Sequence, residues 1–241
     1  MIMCGQELRV DIRPGRTART PLLLLSGIGI SYEVFDRLIG ELDPTVEIIR
    51  VDVPGVGGSP QAAVPYGFPQ LAKLLARMLD DLGHQRVDVL GFSWGGALAQ
   101  QFALQFPTRC RRLVLVSTST GLLSIPGDPD VMAKMLAPKH FRELKEVRSL
   151  LRGSQVATSR LGYAYQLGAV ACWTSLPFLQ LIRQPTLVIG GDDDPIVPVA
   201  NARLLAGLIP HANLHIFTGG HIEPLVSPAD FGPLIIQFLD I

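Results

Sequence analysis

Charge is what this chain of 241 residues has little of. Only 17% of its residues are charged, against about a quarter in an ordinary soluble domain. Lys plus Arg and Asp plus Glu number 21 each, so the net charge is zero. A nucleic-acid partner would need a basic footprint, and none exists here. Cysteine is scarce too: Cys4, Cys110 and Cys172 form an odd, scattered set that excludes a disulfide framework and a zinc spacing. Long apolar runs are missing. The run from 21 to 30 (PLLLLSGIGI) is half of what a bilayer span needs and ends among glycines, so a buried strand is expected there rather than a signal or a membrane span. The first fifteen residues carry no apolar targeting segment either, and a cytoplasmic protein is expected.

Glycine and proline are plentiful, 24 and 19, and they punctuate apolar runs instead of clustering, which reads as turns. Runs at 22–25, 46–51, 87–90, 113–116 and 186–189 are short, aliphatic and without period-two alternation, as expected of parallel strands covered on both faces. Residues 8–12 and 214–217 read as further strands. Between 68 and 82, Leu71, Leu74, Leu75, Met78, Leu79 and Leu82 recur at helical spacing, with Pro69 in the first turn and Gly83 after the end. Helices are also expected at 97–106, 201–208 and 228–239. Strand–helix alternation predicts an α/β fold with a mostly parallel, doubly wound sheet. From 122 to 181 no strand-like run appears, and 132–136, 141–151 and 161–181 read as helical. The expected organisation is a core of residues 1–121 and 182–241 and a helical cap of residues 122–181 over the strand ends where ligands bind.

Gly91-Phe92-Ser93-Trp94-Gly95-Gly96 follows one expected strand and opens a helix. Strand, G-x-S-x-G, helix is the context of a nucleophile elbow, which lifts a serine hydroxyl clear of the sheet. A serine needs a base, and the base needs an orienting acid. His221 follows Gly219-Gly220 after the last strand and is the expected base, whereas His84, His140, His211 and His215 sit in solvated or structural contexts. Asp194, held by Pro195, is the preferred acid, with Asp192 and Asp193 of the same turn as alternatives. The oxyanion hole is expected from the backbone N–H groups of Trp94 and of Ile28 in the loop Ser26-Gly27-Ile28-Gly29. Asp52-Val53-Pro54-Gly55-Val56-Gly57-Gly58-Ser59 lacks the spacing and the lysine of a nucleotide loop, and there is no H-E-x-x-H or other metal cluster. No cofactor and no metal are expected.

With elbow, acid turn and Gly-Gly-His in order, the chain resembles the α/β-hydrolase superfamily from end to end. The segments 52–60 and 87–103, together with Cys110-Arg111-Arg112-Leu113-Val114-Leu115, Leu161-Gly162-Tyr163, Trp173-Thr174-Ser175 and Gln184-Pro185-Thr186-Leu187-Val188-Ile189, are similar to those of intracellular medium-chain-length poly(3-hydroxyalkanoate) depolymerases. The resemblance puts the family's nucleophile on Ser93, its acid on Asp194 and its base on His221. It implies attack on an ester carbonyl, an acyl-enzyme and release of 3-hydroxy acids. The implied partner is a hydrophobic ester, with a polyester granule surface as the larger form of it. Two departures stand out: Ser26 where that family has asparagine, and a stretch from 138 to 160 shorter than the family's cap. Tyr163, Tyr165, Trp173 and Phe178, with Leu167 and Leu176, are expected to line the substrate site from the cap. Small-molecule carboxylesterases, lactonases, C–C bond hydrolases and haloperoxidase-like enzymes share the triad and are the alternatives. A non-catalytic binding protein on the same fold is a further one.

Overall fold

The four leucines of β4 (Leu22–Leu25) are all buried, and their parity explains how. Leu23 and Leu25 point into one apolar core, Leu22 and Leu24 into another. A strand buried on both faces needs no polar alternation. The computed structural model describes residues 1–3, 5–16, 19–136 and 158–240.

A seven-stranded sheet separates the two cores. Its order is β3 (Val10–Arg13), β5 (Ile48–Val51), β4, β6 (Val87–Phe92), β7 (Cys110–Val116), β8 (Thr186–Gly191) and β9 (Ala212–Phe217). Only β3 runs antiparallel, against β5; the other pairings are parallel. A two-stranded hairpin, β1 (Ile2–Met3) and β2 (Gln6–Glu7), precedes it. On one face lie α2 (Phe68–Asp81) and α3 (Trp94–Gln105), and α6 (Val199–Leu208) joins them. On the other lie α1 (Asp36–Glu41) and α8 (Gly232–Leu239). In α2, Leu71, Leu75, Met78 and Leu79 are buried, and Gly83 stops the helix at φ +80°. Each buried aliphatic side chain contributes about 2 kcal/mol to this packing.

The α/β fold class is as the sequence predicts, with differences that have causes. Helix α3 starts at Trp94, three residues before the predicted 97, because Gly95 and Gly96 lie inside it. A Cβ on Gly95 would sit 2.1 Å from the Leu25 carbonyl oxygen, and one on Gly96 2.5 Å from Thr118. Close packing, not flexibility, put glycine there. The predicted helix over 161–181 is divided. Helix α5 (Arg160–Ala171) ends, Thr174 bridges Gly121, and a 3-10 turn covers Leu176–Leu181. Backbone bonds from Leu122 to Trp173 (2.8 Å) and from Ser175 to Thr120 (3.1 Å) override the helical pattern. The helix predicted at 132–136 is α4 (Pro129–Met135), capped by the Asp128 carboxylate on the N–H groups of Asp130 and Val131. A short helix, α7 (Glu223–Val226), and a 3-10 turn at Pro228–Asp230 precede α8. The helix predicted at 141–151 lies outside the described residues.

The glycine-rich segment after β5 is structural. The buried Asp52 carboxylate accepts from the N–H groups of Tyr32 (2.9 Å) and Gly58 (3.0 Å). Gly55 meets Gly162 of α5 so closely that a Cβ on Gly162 would lie 2.2 Å from the Gly55 carbonyl oxygen. Among the described residues no group of three or more His, Cys, Asp or Glu could hold a metal, and no helix is long and apolar enough to cross a membrane.

Candidate active site

Ser93 sits between β6 and α3 at φ 54°, ψ −119°, a conformation that L residues rarely adopt. The neighbouring glycines make that turn possible: a Cβ on Gly91 would lie 2.4 Å from the Gly95 carbonyl oxygen. The Ser93 carbonyl is held by the Gly96 N–H (2.9 Å) and the Thr118 hydroxyl (2.7 Å), while its N–H donates to Val116 (2.9 Å). The turn is clamped from both sides, and the half-buried hydroxyl projects over the start of α3, where the helix dipole favours negative charge.

His221 Nε2 lies 3.0 Å from Ser93 Oγ, and His221 Nδ1 lies 2.7 Å from Asp194 Oδ2. The His221 side chain is 6% exposed and that of Asp194 is fully buried, so water has little access to either. The other Asp194 oxygen accepts from the N–H groups of Ile196 and Val197, both at 2.8 Å. That fixes the carboxylate's orientation and leaves Oδ2 to face His221. Asp192 and Asp193 are exposed. Asp192 instead receives the Gly219 N–H at 3.1 Å, and the Asp193 N–H donates to the Gly219 carbonyl at 3.2 Å. The acid turn therefore holds the histidine turn. Asp192's part in this is not visible in the motif. Of the other histidines, His84 pairs with Glu47 at 2.6 Å, and His140 lies outside the described residues.

Ile28 and Trp94 both border a cavity of about 350 Å³ that Ser93 also lines. Among the described residues, neither backbone N–H has an acceptor. The Ser26 hydroxyl donates to the Ile30 carbonyl (2.8 Å) and so closes the loop on itself. Most of the remaining wall is apolar, with Ala97, Leu122, Met132, Met135, Leu167, Val170 and Ile196, and Thr118, Ser119, Ser124 and Asn201 add polar groups to it.

The aromatic lining expected from the cap needs correction. Tyr163, Tyr165, Trp173 and Phe178 are not among the residues bordering this cavity, nor is Leu176. The Tyr163 hydroxyl donates to the Met135 carbonyl (2.7 Å), and its ring is buried. Tyr165 packs edge-on against Tyr66. The Trp173 indole donates to Gln101 (2.7 Å) and its ring meets Phe68. Phe178 is half exposed on the 3-10 turn. Aromatic rings in a helical segment pack where neighbouring elements leave room, which composition does not reveal. Leu167 does border the cavity. The methionines of α4 took the place of the aromatics, and no residue pattern had marked them.

This geometry has parallels. A family model described as alpha/beta hydrolase fold matches residues 20–152 and 133–228. The chain is 44% identical to a poly(3-hydroxyalkanoate) depolymerase of Ectopseudomonas oleovorans, over 98% of this chain and 89% of that one. It is 30% identical to a 2-hydroxy-6-oxo-2,4-heptadienoate hydrolase of Pseudomonas putida, over 92% and 90%. A crystal structure of a hydrolase from Pseudomonas aeruginosa PA01 superposes with a TM-score of 0.85 at 26% identity, covering 100% of this chain and 97% of that one. The chain belongs to the α/β-hydrolase-fold family.

Proposed function

We propose that the protein is a serine ester hydrolase that acts on poly(3-hydroxyalkanoate). The hydrogen-bond chain Ser93–His221–Asp194, whose serine borders a largely apolar cavity, carries the reading. His221 Nε2 takes the Ser93 proton as Oγ attacks the ester carbonyl. The Nδ1–H stays bonded to Asp194, which orients the ring and stabilises its cation. The N–H groups of Ile28 and Trp94 receive the oxyanion. Collapse of the tetrahedral adduct expels the alcohol, which takes the proton from Nε2. Water, deprotonated by the same nitrogen, then releases the acid and restores Ser93. Of the expected cap, Leu122, Met132, Met135, Leu167 and Val170 lie against this chemistry in the cavity wall.

The polyester assignment is supported by the 44% identical depolymerase and by cavity walls suited to aliphatic side chains. On this reading the protein works inside the cell, on a granule surface. The 30% identical heptadienoate hydrolase supports a second reading, a hydrolase of small molecules with the same triad.

The test compares wild type with Ser93→Ala on p-nitrophenyl esters and on a medium-chain polyester suspension, with products identified by mass spectrometry. Ser93-dependent release of 3-hydroxy acids from polymer is expected. Cleavage of small esters with untouched polymer would move the function to the second reading. Turnover retained in Ser93→Ala would refute the nucleophile.

A further inference from the structure

Gln166 is 1% exposed on α5, far in sequence from the elbow and the loop it touches. Its side-chain carbonyl accepts the Gly29 N–H at 2.8 Å. Its backbone carbonyl accepts the Trp94 indole N–H at 2.9 Å. Gly29 and Trp94 belong to the two separate segments that supply the unpaired N–H groups at the cavity. One buried residue thus ties both together. The same loop is held a second time, by the Thr158 hydroxyl on the Gly29 carbonyl at 2.9 Å.

We infer that Gln166 is a positioning residue of the oxyanion hole, setting the distance between its two donors from helix α5. This rests on the oxyanion assignment proposed above. Gly29 is at φ +67°, a left-handed conformation open to several alternatives in a glycine-flanked loop. The 28–29 peptide, which carries the Gly29 N–H, joins at the Ile28 Cα to the 27–28 peptide, which carries the Ile28 donor, so free rotation of the first lets the second turn away from the cavity. The amide of Gln166 opposes that rotation by holding the Gly29 N–H. The Ser26–Ile30 bond closes the loop but leaves that peptide unanchored. Stabilisation by such donors depends on their being aimed before the charge develops, so loosening one lowers the rate rather than substrate affinity. Glutamine also suits the place electrically. It accepts a hydrogen bond without adding a negative charge beside a developing oxyanion.

The experiment uses Gln166→Met, which keeps the length and the backbone carbonyl but removes the side-chain acceptor. A second variant, Thr158→Val, removes the other anchor. Active sites are counted first with a fluorophosphonate, so that misfolded protein does not enter the rates. The expected result on p-nitrophenyl esters is a fall in kcat of about tenfold to a hundredfold for Gln166→Met, less than the loss of a whole donor. KM should stay within about twofold, and affinity for an alkyl boronate should fall in step with kcat/KM. Thr158→Val should give a smaller loss of the same kind. If Gln166→Met does not fold, the kcat and boronate affinity of Thr158→Val decide. A wild-type kcat per titrated site, or a loss confined to KM, would overturn the inference while leaving Ser93-dependent hydrolysis intact. Absence of Ser93-dependent hydrolysis in the wild type would instead remove the reading beneath it.

Discussion

Replacing Ser93 by glycine should leave a more stable protein than replacing it by alanine. The backbone at Ser93 is held at φ 54°, ψ −119°, and a non-glycine residue in such a region costs about 1–3 kcal/mol. Glycine removes that cost. Against it stands the larger freedom of glycine in the unfolded chain, about 0.4–1 kcal/mol. Loss of a half-buried methyl group adds about 0.4 kcal/mol. The lost hydrogen bond to His221 is the same in both variants and cancels. The centres of these ranges leave about 1 kcal/mol in favour of Ser93→Gly, or roughly 2–4 °C in Tm for a chain of this size. Paired thermal and urea unfolding of the two variants reads the difference, and circular dichroism checks that both keep the fold. Equal stabilities, or a more stable Ser93→Ala, would refute the argument that the elbow stores strain. The result does not depend on any substrate.

Asp194→Asn should lower kcat by about 10⁴-fold, because an amide facing His221 Nδ1 favours the wrong tautomer; Asp193→Asn, on an exposed carboxylate, should stay near wild type in the same ester assay. Gly95→Ala should cost about 3 kcal/mol or more, since its Cβ would lie 2.1 Å from a backbone carbonyl oxygen of β4; a Tm within about 2 °C of wild type would contradict the close-packing account. Burial pushes the Cys110 thiol well above the ordinary range, while Cys172 is exposed at the end of α5. Iodoacetamide on the native protein should therefore modify Cys172 and spare Cys110 until urea unfolds the chain, as peptide mass spectrometry would show.

Much of the fold was legible because its signals are local. Doubly covered strands read as unbroken aliphatic runs, and α2 announces itself through leucine spacing and its flanking Pro69 and Gly83. The elbow is legible for a similar reason, since the tight turn at Ser93 and the contacts of Gly91, Gly95 and Gly96 can be met only by glycine at those spacings. Choosing among Asp192, Asp193 and Asp194 is different. Three identical side chains in one turn differ only in what each meets. Asp194 is buried against His221, and Asp192 faces Gly219.

Chain order, strand periodicity and glycine placement determined the fold class and the cluster of residues from which a site could be built. They act within a few residues, through backbone sterics and the burial of one face or two. The wall of the cavity was decided elsewhere. Met132 and Met135 border it while Tyr165 and Trp173 turn to Tyr66 and Phe68, and neither choice has a local cause. Gln166 reads in sequence as a polar residue on a helix. It gains its meaning only when α5 is laid against a loop that precedes it by more than a hundred residues, as the 137-residue separation of its bond to Gly29 records. Contacts of that range depend on how the layers pack, and the sequence specifies them only through the whole fold.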